Sequence, residues 1–102
     1  MTPAPPLDAA LEALAAAGLH AGLDGWRPSP LQAHTLAALL PLGSVVTRAR
    51  LLRRLADAVG EDAASASPGW ARDRVHRARR CLPAGWRVVT VGHLGWMLER
   101  QG

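Results

Sequence analysis

Apolar residues recur along this chain at two periods, and the change of period divides it. Leu7, Leu11 and Leu14 return at helical spacing with Ala between them, and Gly18 stands where a helix would stop. The pattern predicts a helix over 7–17 after a Pro-rich, frayed start. Leu19–Arg27 is broken by glycine and reads as a connector anchored by Leu19, Leu23 and Trp26. Ser29-Pro30 supplies an N-cap followed by Pro in the first turn. The helix it opens runs to about Leu40, with Leu31, Ala33, Leu36, Ala37, Leu39 and Leu40 as a wide buried face, and Pro41 and Gly43 end it. Val45-Val46 is a short extended piece. Thr47 then caps a helix over 48–59 that buries Leu51, Leu52, Leu55 and Val59. Glu61–Ser67 is small, polar and acidic, as surface loops are. Ser67-Pro68 repeats the start signal for a last helix that reaches Leu82 before Pro83-Ala84-Gly85. From there the period shortens. Trp86–Val91 is β-branched and alternating, Gly92–Gly95 makes a turn, and Trp96–Leu98 returns as a partner strand, with 99–102 as a tail.

The last helix carries most of the candidate chemistry. Its stripe of Ala71, Val75, Ala78 and Leu82 needs a core to lie on. Its remaining faces hold Arg72, Asp73, Arg74, His76, Arg77, Arg79 and Arg80, which need water or an anion. A solvated basic helix satisfies this pattern, and so does a helix docked in a DNA major groove. Charge distribution sharpens the choice. Residues 1–47 carry a net −2, residues 48–80 a net +5, and residues 81–102 a net +1, within an overall +4. Positive charge concentrated in one third of a chain is the footprint expected of a nucleic-acid binder.

Composition narrows the setting. A chain of 102 residues suits one small core, built mostly from Leu, Val and Ala because its only aromatics are four Trp. All twelve basic side chains are Arg, which together with the many Ala suggests a GC-rich coding bias. The single cysteine, Cys81, excludes an internal disulfide and suits a reducing cytoplasm. No apolar run approaches the roughly 20 residues of a membrane span, and no secretion signal opens the chain. A cytoplasmic, nucleoid-associated protein is expected.

The order of elements, helices and then a terminal hairpin, is that of a winged helix-turn-helix, and three blocks of residues carry a resemblance. Pro30-Leu31 through Leu39-Leu40, followed by Leu42-Gly43-Ser44-Val45-Val46-Thr47-Arg48-Ala49-Arg50-Leu51-Leu52, is similar to the first two helices of the DNA-binding effector domain of OmpR-type response regulators. Ala71–Leu82 resembles that family's recognition helix without gaps, with Val75, Arg77, Arg79, Arg80 and Leu82 at like positions. Val88–Leu98 resembles its closing hairpin. The resemblance covers about two-thirds of the chain. It implies a mainly helical α+β fold, a winged helix-turn-helix over 29–98 with a C-terminal β-hairpin wing, preceded by an extra N-terminal helix and connector over 1–28.

Departures limit what carries over. Gly92-His93 stands where the family has a wing-tip Arg-Gly, and Trp96 replaces its Tyr. The first family helix lacks its acidic residue. The 7–17 helix takes the place of a small N-terminal sheet, and a receiver domain before the motif is not expected. Regulation by phosphorylation is therefore not expected, and a standalone bacterial or phage transcriptional regulator is.

On that fold, the stripe of the basic helix packs on Leu36, Leu51 and Leu55, and its outer face enters the major groove. Arg77 and Arg80 are expected at base edges, with His76 and Asp73 beside them. Arg72, Arg74 and Arg79 are expected on phosphates, as are Arg48 and Arg50 at a helix N-terminus. Arg87 and His93 would reach the adjacent backbone or minor groove from the wing. Asp73 and Arg77, four apart, also suit a simple helix-surface pair. One such domain offers few contacts, so specific binding is expected to need a homodimer or a co-bound partner, most simply through Leu7, Leu11 and Leu14, with Trp70 as a further partner contact unless the four Trp close the core.

Other chemistries are poorly supplied. His20, His34, His76, His93 and Cys81 offer no pair at tight metal-ligand spacing. Cys81 lacks the companions of a nucleophile, and there is neither a Gly-rich phosphate loop nor paired carboxylates in an apolar setting. No enzyme, cofactor or metal is expected. The rival reading is a protein-interaction module on the same fold, docking on RNA polymerase or another regulator, which would need an exposed apolar patch.

Overall fold

The computed structural model describes residues 6–20, 22–59 and 68–101. Among them are four α-helices, α1 (Pro6–Ala16), α2 (Pro30–Ala38), α3 (Arg48–Val59) and α4 (Pro68–Arg80), and three strands, β1 (Val46–Thr47), β2 (Trp86–Val91) and β3 (Gly95–Arg100). A single 3₁₀ turn, Leu23–Gly25, links α1 to α2. The fold is α+β, with helices packed against one face of an antiparallel sheet of order β1-β3-β2. The acidic loop expected over 61–67 lies outside the described residues.

Local signals set the helix ends. Ser29 and Gln32 form a reciprocal capping box: the Ser29 hydroxyl accepts from the Gln32 amide at 3.2 Å, and Gln32 Oε1 accepts from the Ser29 amide at 2.8 Å. Thr47 Oγ1 accepts from the Arg50 amide at 3.2 Å and caps α3. Gly18, at φ 103°, lets the chain turn so that the Leu19 amide reaches back to the Leu14 carbonyl at 2.9 Å. The far end of α2 is closed from a distance. Arg54 Nη1 donates to the carbonyls of Ala38 and Leu40 at 2.8 and 2.7 Å, tying α3 to the C-terminus of α2.

Two helices stop earlier than their apolar periodicity suggests, each for the same reason. Pro41 and Pro83 disfavour helical geometry in Leu40 and Leu82, the residues before them. Leu39 and Leu40 instead bond to the carbonyls three residues back. Leu82 lies beyond α4 and is half-buried, so it closes the edge of the core instead of extending the α4 stripe.

The core joins every element. Leu14, Leu19, Leu36, Leu39, Val46, Leu51, Leu55, Val75 and Leu98 are fully buried, with Ala71 and Ala78 of α4 at 0% exposure. Trp26, Trp86 and Trp96 are buried too. The leucines proposed for a second copy or partner differ in burial. Leu14 is in the core and Leu7 and Leu11 are partly buried against it, because α1 packs on α2 and shields their side of the core.

The sheet is larger than a hairpin. β3 pairs with β2 along its whole length, from Trp86↔Arg100 to Val91↔Gly95, and its other edge pairs with β1 through Val46↔Trp96 and Thr47↔Gly95. The stretch expected to be a tail therefore continues β3 to Arg100. The close approach of β1 depends on Gly95, where a Cβ would sit 2.0 Å from the Val46 carbonyl oxygen. Gly95→Ala should therefore lower stability by about 1–3 kcal/mol. Gly69→Ala, with nothing within 4 Å of the added carbon and a helical backbone, should hold stability or raise it by up to about 1 kcal/mol. Urea denaturation of the two variants checks this, and equal losses would count against the β1–β3 contact.

Candidate functional site

Alternation along β2 puts Trp86, Val88 and Thr90 on one face. Trp86 and Val88 are buried in the core, whereas Thr90 lies beyond its edge and is exposed. On α4, Arg72, His76 and Arg79 each follow a residue of the buried stripe, which turns them about 100° around the helix from Ala71, Val75 and Ala78. The two exposed edges face each other across an open groove of about 750 Å³. Arg48, the first residue of α3, lines it from one element, and His93 in the β2–β3 turn from another. Arg79 Nη2 donates to Thr90 Oγ1 at 2.9 Å, fixing the spacing between helix and hairpin.

The electrostatics of this groove are one-sided. Among the described residues, no carboxylate lies within ion-pair distance of Arg48, Arg72 or Arg79. Asp73 also lines the groove, but its carboxylate is engaged by Arg77 Nε at 3.2 Å and Arg74 Nη2 at 3.8 Å. Arginines held near one another without acids are repulsive unless an anion is shared among them. The groove can therefore bind a polyanion, and its two histidines add donors for the same ligand.

Six of the residues singled out from sequence meet here: Arg48, Arg72, Asp73, His76, Arg79 and His93. The others go elsewhere. Arg50 is exposed in the first turn of α3, outside the groove lining, and so is Arg80 at the end of α4. Arg77, expected at a base edge, turns toward α2 and lines a pocket of about 80 Å³ with Ser29, Gln32 and Arg74. Arg74, expected on a phosphate, is only 22% exposed and stacks 5.5 Å from the centroid of Trp70. Trp70 itself packs partly buried against the core, where closing the core competes with a partner contact. Arg87 pairs with Glu99, its cross-strand neighbour, on the outer face of the sheet. Its charge is largely compensated there.

Thr90 and Arg54 are the polar positions that sequence reasoning did not single out. The alternation of β2 places Thr90 on the inner face, but only the end of the core shows that it emerges into the groove. No local signal marks Arg54, whose partners lie 14 and 16 residues away. Of the metal-ligating residue types, no group of three comes together among the described residues. No helix among them is long and apolar enough to cross a membrane.

Addition of a sulfated polysaccharide should shift the imidazole NMR signals of His76 and His93. Those of His34, which is 8% exposed on α2, should stay in place. Uniform shifts of all the histidines would mean that the groove does not concentrate anions. Comparison with family models, curated proteins and solved structures returns no match, so the chemistry of this site rests on its own residues.

Proposed function

We propose that the chain binds double-stranded DNA through this groove, as a winged helix-turn-helix and a small transcriptional regulator. In this reading α3 and α4 are the helix-turn-helix pair and the β2–β3 hairpin is the wing. The observation that carries it is the convergence of Arg48, Arg72 and Arg79, from two helices and without acidic partners among the described residues, beside His76 and His93. A B-DNA major groove is about 12 Å wide and admits one helix. α4 is fully buried at Ala71, Val75 and Ala78 and exposed at Arg72, His76, Arg79 and Arg80, as a helix inserted edge-on requires. Arg72, His76 and Arg79 face the bases or their flanking phosphates. Arg48 and Arg50, at the N-terminus of α3, add backbone contacts where helix N–H groups also favour an anion. His93, at the hairpin tip, takes the position of the wing contact.

A protein-docking module on the same fold would call for an exposed apolar patch. Among the described residues the exposed large apolar side chains are Val45, at 37%, and Leu94, at 65%. Two side chains fall short of such a patch, which favours the DNA reading.

A salt titration on mixed-sequence duplex tests it. The logarithm of affinity should fall linearly with the logarithm of salt, by about 0.9 per phosphate contact. Arg72→Ala/Arg79→Ala should weaken binding and flatten that slope by up to about two contacts, while Arg53→Ala, on an exposed position outside the groove lining, should change little. Binding that is weak and indifferent to the double substitution would move the function away from DNA.

A further inference from the structure

Among the described residues lining the groove, Asp73 is the one carboxylate. Its side chain is 45% exposed, with Arg77 Nε 3.2 Å and Arg74 Nη2 3.8 Å from Oδ2. An acid in that position repels phosphate whatever the sequence, so it lowers affinity for every duplex alike. The loss is offset only where the nucleic acid presents an N–H donor. In the major groove those donors are the amino groups at cytosine N4 and adenine N6, whereas guanine shows acceptors at N7 and O6, and thymine shows O4 and a methyl group. The adenine amino group sits next to the N7 acceptor, which faces a carboxylate unfavourably. The cytosine amino group sits next to a C–H.

Resting on the DNA-binding proposal, we infer that Asp73 is a specificity-determining residue whose exposed carboxylate accepts a hydrogen bond from a cytosine amino group. The repulsion it exerts on phosphate makes binding to sites without that cytosine weaker. The competing role is structural only, an ion pair between residues one helical turn apart.

The experiment is selection of binding sites from a randomised duplex library by the full chain, followed by equilibrium binding to the selected duplex and its single-base variants. Wild type, Asp73→Asn and Arg77→Ala are compared, with circular dichroism as the check on folding. Wild type should show one position held as cytosine. Asp73→Asn should lose about tenfold discrimination there, while binding random duplex as tightly as wild type or more tightly. An unchanged cytosine preference in Asp73→Asn overturns the inference and leaves DNA binding standing. Loss of the same preference in Arg77→Ala, with Asp73 intact, also overturns it, because Asp73 would then act only by positioning Arg77. If wild type binds no duplex, the DNA-binding proposal falls and this inference falls with it.

Discussion

The packing of α4 against α2 and the rest of the core is the constraint on which the other features depend. Ala71 and Ala78 contribute almost no side-chain bulk, so the helix backbone approaches its neighbours closely, with Val75 buried between them. Close approach brings the adjacent face of α4, with Arg72, His76 and Arg79, to the level of the hairpin. A larger residue at either alanine would lift the helix and change the distance to Thr90. Small residues are thus what place a basic helix beside a sheet edge at hydrogen-bonding distance.

The central strand, β3, supplies the second constraint. It pairs on one side with β1, which leads directly into α3, and on the other with β2, which follows α4. The start of α3 and the tip of the hairpin are therefore held in one sheet, and Arg48 and His93 reach the same groove. Gly95 permits this because its missing Cβ leaves room for the β1 carbonyl. A hairpin alone, unpaired with β1, would leave the orientation of the groove wall to a single turn.

Arginine serves two purposes in this chain. Arg54 closes α2, Arg74 stacks on Trp70, Arg87 pairs across strands with Glu99, and Arg100 lies 5.6 Å from the centroid of the Trp86 ring. These side chains have partners that use the planar, always-charged guanidinium for structure. Arg48, Arg72 and Arg79 line one groove, and among the described residues no carboxylate lies within ion-pair distance of them. Like charges grouped in this way repel one another and do not stabilise the fold.

The amino-acid sequence determined the elements and most of their limits. Ser29-Pro30, Thr47 and Gly18 act on backbone groups within a few residues, which is why α3 and β2 begin and end where periodicity and capping put them. The buried stripe of α4 was legible for the same reason, as was the basic character of its other faces. Where a proline changed the last turn of α2 and α4, the restriction on the preceding residue was local but outweighed the apolar period. Only the tertiary structure decided which arginines share a surface. A helical wheel gives every exposed residue of α4 equal standing, and Arg77 and Arg79 differ only once α2 lies on one side and the hairpin on the other. The joining of β1 to β3, the closure of α2 by Arg54, and the burial of Leu14 likewise depend on partners distant in sequence. Local bonds are written in neighbouring residues, whereas charge balance and burial follow from which surfaces the folded core brings together.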